Sequence, residues 1–126
     1  MVLIDSSVWI SYFRGEMPPD PLDALLDTNN ACVNSLILAE LIPSIIFKKE
    51  EKLKGMLQAM YCLPLRIDWN HIIEMQVKNL ENGLGRVGIP DLIIVQNAFQ
   101  HGAELFSLDA HFSIMSQWQE LKLYKY

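Results

Sequence analysis

Asp5, Glu40, Asp91 and Asp109 are the residues of this 126-residue chain whose types and placement could do chemistry. Asp5 closes the apolar run Met1–Ile4, and Asp109 closes Glu104–Leu108, so each falls at the carboxyl end of a segment that reads as a strand. Glu40 and Asp91 lie in the early turns of segments that read as helices following a strand or a loop. In a parallel α/β sheet these positions share one rim, beyond the carboxyl ends of the strands, where ligands gather. Carboxylates crowded on one rim raise one another's pKa and oppose folding. Mg²⁺ or Mn²⁺ resolves the conflict, because hard oxygen ligands and water suit these ions. Such an ion can lower the pKa of bound water, orient it and stabilise charge on a phosphodiester. Two ions about 3.5–4 Å apart would serve the attacking and the leaving oxygen separately.

Each acid taken alone has a structural reading. Asp5 could cap a helix starting at Ser6–Ser7, Asp91 after Pro90 could favour a helix dipole, and Asp109 could form a turn before Ala110. Glu40 resists such a reading, because its neighbours in Leu36–Ile46 are nearly all apolar. Together the acids favour a site.

The elements that must position them alternate between strand and helix. Met1–Asp5 suits a strand buried on both faces, and Ser6–Phe13, with Val8, Trp9, Tyr12 and Phe13, forms a helical or turn-like cluster ending at Gly15. Pro18, Pro19 and Pro21 make a loop, Leu22–Asp27 a short helix, Asn29–Asn30 a break, and Ala31–Asn34 a second strand. Ser35 caps a helix reaching about Phe47, with Pro43 as its kink or weak point. Lys48–Cys62 has helical composition and stops at Pro64, and Leu65–Asp68 reads as a third strand. Trp69–Asn82 reads as an amphipathic helix with Ile72, Ile73, Val77 and Leu80 on one side. Gly83–Gly88 is a loop, Asp91–Gln100 an apolar helix ended by Gly102, Glu104–Asp109 a fourth strand and Leu121–Tyr126 a terminal one. The alternation predicts a three-layer α/β/α sandwich with a mainly parallel central sheet and right-handed crossovers.

At 51% hydrophobic residues, the chain can bury one core, so residues 1–126 are expected to form one domain. No run approaches the roughly 18 apolar residues of a membrane span, and no basic leader precedes the opening strand. Cys32 and Cys62 sit in apolar segments and read as buried free thiols of a reducing compartment. The expected location is therefore cytoplasmic. A formal charge of −5, from 15 acidic and 10 basic residues, opposes simple electrostatic binding of RNA. A cation shared by several carboxylates weakens that objection.

The segments Val2–Ile10 (VLIDSSVWI), Ser35–Leu41 (SLILAEL), Gly88–Ile94 (GIPDLII) and Leu105–Phe112 (LFSLDAHF) resemble, in order, the acidic motifs of PIN-domain ribonucleases. The size is similar to that of the VapC-type toxins of toxin–antitoxin pairs. The resemblance implies a Mg²⁺- or Mn²⁺-dependent endoribonuclease with Asp5, Glu40, Asp91 and Asp109 as catalytic acids. Asp5, Asp91 and Asp109 would ligate metal, and Glu40 would be a further ligand or orient water. Ser7 and Ser107 match the hydroxyl positions that support the acids. The implied partners are an RNA substrate, a cognate antitoxin and a second copy of the chain in a homodimer. The last motif departs from the family in carrying Ala110–His111 where a further polar or acidic residue is common. Lys48–Gly85 matches no motif, and substrate choice in the family lies largely in such variable surface.

Arg14 and Arg86, each in a glycine-containing loop, are the candidate substrate contacts. Lys48, Lys49, Lys52 and Lys54 interleave with Glu50 and Glu51 and read as a solvated helix face. His71 and His101 read as surface residues, while His111 follows Asp109 closely enough to approach the site. Trp9, Tyr12 and Phe13 belong to the core or to an interface. A receiver-type phosphoryl-transfer domain is disfavoured, because Asp5 is followed by Ser6–Ser7 and Glu104–Asp109 contains no lysine. A catalytically silent PIN-like module binding RNA or protein is the alternative, and loss of an acid would have favoured it.

Overall fold

Val2–Ile4 forms β1, and all its side chains are buried although successive residues face opposite sides of the sheet. Both faces of β1 are therefore covered, which explains its unbroken apolar sequence. The computed structural model describes residues 1–126. In it, β1 pairs in parallel with β2 (Ala31–Val33) on one side and β4 (Glu104–Phe106) on the other. β3 (Tyr61–Cys62) adds to β2 in parallel, giving the order β3-β2-β1-β4. Helices α1 (Ser6–Phe13), α2 (Asp20–Asp27), α3 (Ser35–Phe47), α4 (Glu51–Gln58), α5 (Trp69–Glu81), α6 (Ile89–Gln100) and α7 (Ala110–Met115) surround the sheet. The result is the expected α/β sandwich with a parallel centre. A core of 28 buried apolar residues runs through it, and no helix is long and apolar enough to cross a membrane.

The helix that carries Asp91 is the most deeply held. Leu92 through Ala98 of α6 are all buried, including the polar Gln96 and Asn97. Both polar side chains are satisfied. Asn97 Nδ2 donates to the Pro64 carbonyl at 3.0 Å, and its Oδ1 accepts from Asn34 Nδ2 at 2.9 Å. Gln96 receives the Asp68 N–H at 3.0 Å and donates to the Asp68 carbonyl at 3.0 Å. Asn34 also caps α3, accepting the Ile37 N–H at 2.9 Å. One buried amide thus ties the start of the Glu40 helix to the Asp91 helix, and neither can slide without orphaning a polar group.

These bonds correct the expected strand at Leu65–Asp68. Gln96 and Gln100 occupy backbone groups of that stretch, with Gln100 Nε2 bonded to the Arg66 carbonyl at 2.8 Å, and Asn97 holds the Pro64 carbonyl just before it. The segment is extended but paired to helix side chains, and β3 lies earlier, at Tyr61–Cys62. The helix expected over Lys48–Cys62 is correspondingly shorter. Lys49 adopts a left-handed φ of 57°, which separates α3 from α4. Cys62 is exposed on β3, not buried, whereas Cys32 is buried and its thiol is pushed up to about 11 by burial.

Smaller differences have local causes. Asn34 caps α3 in place of Ser35, and α2 begins at Asp20 with Pro21 in its first turn. β4 stops at Phe106, because Asp109 starts the unforeseen α7. The expected terminal strand is reduced to one bridge between Leu123 and Leu105. On α5 the buried stripe is Ile72, Met75 and Asn79, while Ile73, Val77 and Leu80 are exposed. The Asn79 amide makes that stripe workable by accepting the Trp118 and Gln119 side-chain N–H groups at 2.8 and 3.0 Å. Trp9 is fully buried, with Tyr12 and Phe13 packed partly against the core.

Candidate functional site

Asp5 leaves β1 with its N–H still in the sheet, donating to the Phe106 carbonyl at 2.9 Å. Its backbone takes the N-cap position of α1, yet its side chain makes no capping bond. The carboxylate is 5% exposed and accepts two hydroxyls on a single oxygen instead. Ser7 Oγ donates to Oδ2 at 2.6 Å, and Ser107 Oγ donates to it at 2.8 Å. Those hydroxyls also accept backbone N–H groups, Ser7 from Leu108 at 3.1 Å and Ser107 from Asp109 at 3.0 Å. The mesh joins the ends of β1 and β4 and fixes the plane of the Asp5 carboxylate, leaving Oδ1 free of side-chain donors.

Asp109 caps α7, accepting the His111 N–H on Oδ1 at 2.9 Å. The cap also turns the His111 ring back toward the carboxylate, with Nδ1 3.7 Å from Asp109 Oδ1. Asp91 enters from the first turn of α6, behind Pro90. Ligand atoms of Asp91, Asp109 and His111 all lie within 4.8 Å of one another. Glu40 reaches the same rim from α3. Partial desolvation of a residue that is otherwise exposed, reinforced by the charges of Asp5 and Asp91, holds its carboxyl above the ordinary range. Asp91 is raised likewise by burial, then by Asp109 and Asp5, with His111 pulling the other way.

The expected acids therefore meet electrostatically. They differ sharply in exposure: Asp5 is buried, Asp91 half-buried, and Glu40 and Asp109 open to solvent. Glu40 stands out in an apolar sequence because that face of α3 looks onto the rim. Of the expected cations, Arg14 is exposed at the C-cap of α1 and shares a cavity with Glu40. Arg86 is exposed in the loop before α6 and pairs with no acid. His111 is a fuller member of the cluster than its sequence position alone implied. The usable signal was the Asp-x-His spacing at a helix start, which folds the ring beside the cap.

The donor set fits a hard divalent cation. Its oxygens and imidazole nitrogen lie within 4.8 Å of one another, close to the span of roughly 4.2 Å open to two ligands of one Mg²⁺, so a small rotamer adjustment would bring them onto one ion. No protein cation competes for the place. The one contact at ion-pairing distance is that of His111 with Asp109, charged only when the imidazole is protonated, so none of the 10 lysines and arginines neutralises the rim.

A parallel α/β sandwich with an acidic centre beyond its strand ends is thus the class of protein that fold and site define. The family model described as PIN domain matches residues 2–116, and the chain belongs to that family. No curated protein sequence matches it. Among solved structures, a chain of VapBC2 from Rickettsia felis, bound to a DNA fragment from their promoter, is similar with TM-score 0.77 and 18% identity. The match covers 100% of this chain and 99% of that one. FitAcB from Neisseria gonorrhoeae is similar at TM-score 0.73 and 18% identity, covering 99% of this chain and 97% of that chain. VapBC-1 from nontypeable Haemophilus influenzae is similar at TM-score 0.74 and 15% identity, covering 99% and 98% respectively. At such identities the likeness is one of fold.

Proposed function

We propose that the chain is a Mg²⁺- or Mn²⁺-dependent endoribonuclease and the toxin of a toxin–antitoxin pair. The observation that carries the reading is the meeting of Asp91, Asp109 and His111 within 4.8 Å, beside an Asp5 held by two hydroxyls. Membership of the PIN domain family supports it, as do the toxin–antitoxin complexes among its structural likenesses. Asp5, Asp91 and Asp109 would hold the metal, with Ser7 and Ser107 keeping Asp5 in one orientation. When bound, the cation supplies Lewis acidity to the phosphodiester and eases deprotonation of water. Glu40, with a carboxyl held above its ordinary range, orients the attacking water and takes up its proton. A P–O bond forms to that water, the bond to the 3′ oxygen breaks, and the 3′ oxygen takes a proton from solvent, leaving 5′-phosphate and 3′-hydroxyl ends.

The cognate antitoxin would inhibit by laying a chain segment over the acidic rim, and a cytoplasmic homodimer is the proposed working form. The decisive experiment incubates purified protein with RNA in Mn²⁺ and in excess chelator, beside the Asp91→Asn protein. Wild type should cut only with metal, and the variant should lose orders of magnitude of rate. Undiminished cleavage in chelator or by the variant would sink the metal mechanism. Binding of RNA without any cleavage would favour the catalytically silent module.

A further inference from the structure

The acidic rim continues at Glu40 into a cavity of about 170 Å³ between α1, α3 and the start of α4. That is smaller than the roughly 300 Å³ at which drug-sized ligand pockets begin, so it admits one planar ring. Ile10 and Phe13 of α1 meet Leu41 of α3 in an apolar floor. Arg14 and Lys48 stand on its walls as the C-cap residues of α1 and α3. Helix C-termini carry partial negative charge, which holds a cation in place without an acidic partner. Both side chains are exposed and neither forms an ion pair. Glu50, the N-cap of α4, offsets part of their charge at the far end.

We propose that this cavity is a subsite for single-stranded RNA, taking a nucleotide roughly three to four stacked steps from the scissile bond. Arg14 and Lys48 hold its phosphate, and its base lies against Phe13. The proposal rests on the endoribonuclease reading and adds a substrate-binding element to it. Charge argues for the location. A polyanionic strand that meets an acidic rim can leave it only where cations are free, and these two border the cavity that Glu40 also lines. Distance argues for the step. At 1.5 Å per residue, Lys48 lies about 12 Å along α3 from Glu40, well beyond the ~3.4 Å rise of a single stacked nucleotide. The floor offers an aromatic face and aliphatic carbon, so the base is held by stacking and sequence preference is weak.

The test uses Arg14→Gln, Lys48→Gln, the double variant, and Ser44→Trp, which plugs the cavity from an exposed position on α3. Cleavage of a dinucleotide, which cannot reach the cavity, is compared with that of a single-stranded 12-mer. The double variant and Ser44→Trp should raise KM for the 12-mer by about tenfold, equivalent to about 1.4 kcal/mol, with a much smaller effect on the dinucleotide. Fluorescence anisotropy of the 12-mer, in the Asp91→Asn background, reads the salt dependence of binding. Each lost cation should reduce the log–log slope by about 0.7. A packing role alone would leave that slope alone. Unchanged KM and slope in the double variant overturn the subsite. So does an effect confined to capture of a partner protein, which would make the cavity a peptide groove. Wild type that binds the 12-mer with the expected slope yet cuts neither substrate would instead overturn the nuclease reading.

Discussion

Replacing Asp91 by Asn tests the rim as one electrostatic unit without any substrate. Burial and the charges of Asp109 and Asp5 raise the Asp91 carboxyl, against an opposing pull from His111. The folded protein then keeps a proton that the unfolded chain has already released. The group's contribution to stability is full below the unfolded value of about 3.9 and declines as pH rises through the folded one. At neutral pH, Asn removes a repulsion that the ionised Asp carries only in the folded state. Asp91 is only half-buried, so solvent screening keeps the gain to roughly 0.5–1 kcal/mol, the scale of a partly exposed charge interaction. For a domain of this size that is a rise of about 2–4 °C in metal-free Tm at pH 7. Metal should reverse the order, since an ion held at 100 times its Kd stabilises the wild type by about 2.7 kcal/mol and the variant by less. Thermal melts of both proteins, at pH 4 and pH 7, with chelator and with Mg²⁺, check each step. The metal-free advantage of the variant should vanish at pH 4. A variant that melts lower in chelator, with equal metal shifts in both proteins, would refute the shared site.

Ser107→Ala deletes one of the two hydroxyls on Asp5 Oδ2 and the acceptor of the Asp109 N–H. Rates at saturating metal should fall about 10–100-fold, as for other groups that orient metal ligands. Urea melts should show a loss of only about 1 kcal/mol; unchanged rates would mean Ser7 suffices. His111→Gln should weaken Ni²⁺ binding by calorimetry more than Mg²⁺ binding, because imidazole suits transition ions and carboxylates suit Mg²⁺. Equal weakening of both would remove His111 from the ligand set.

Elements whose own residues determine their state were legible in advance. The apolar run of β1 is legible because a strand buried on both faces needs no alternation. α6 is legible because Pro90 opens it and Gly102, with φ of 62°, follows its end. Misread segments are those whose backbone is satisfied from elsewhere. Leu65–Asp68 has strand composition, but its partners are side chains some 30 residues downstream, Gln96 and Gln100. On α5 the apolar count favoured Ile73, Val77 and Leu80, whereas the buried stripe turns on Asn79. A buried amide is acceptable there only because Trp118 and Gln119 arrive to donate to it. Periodicity cannot anticipate a polar group whose partners come from another part of the chain.

The placement of the candidate acids was legible for a related reason: Asp5, Asp91 and Asp109 sit at strand or helix termini defined locally, and Glu40 breaks the apolar run of α3 in its second turn. What spacing could not convey is their inequality. Asp5 tolerates burial because two hydroxyls and the sheet hold it, whereas Asp109 stays exposed as a helix cap. Nor could composition reveal that the basic residues leave the rim alone. A net charge of −5 is compatible with 10 of the 15 acids being paired to a lysine or arginine, and with none. Here the only pair is His111 with Asp109, and the neighbouring free cations line a cavity beside the acids. Under the proposed function, sparse pairing at the rim would make room for an external cation, and unpaired cations beside it for a phosphate. The two absences are complementary on that reading, one serving a metal and the other a polyanion.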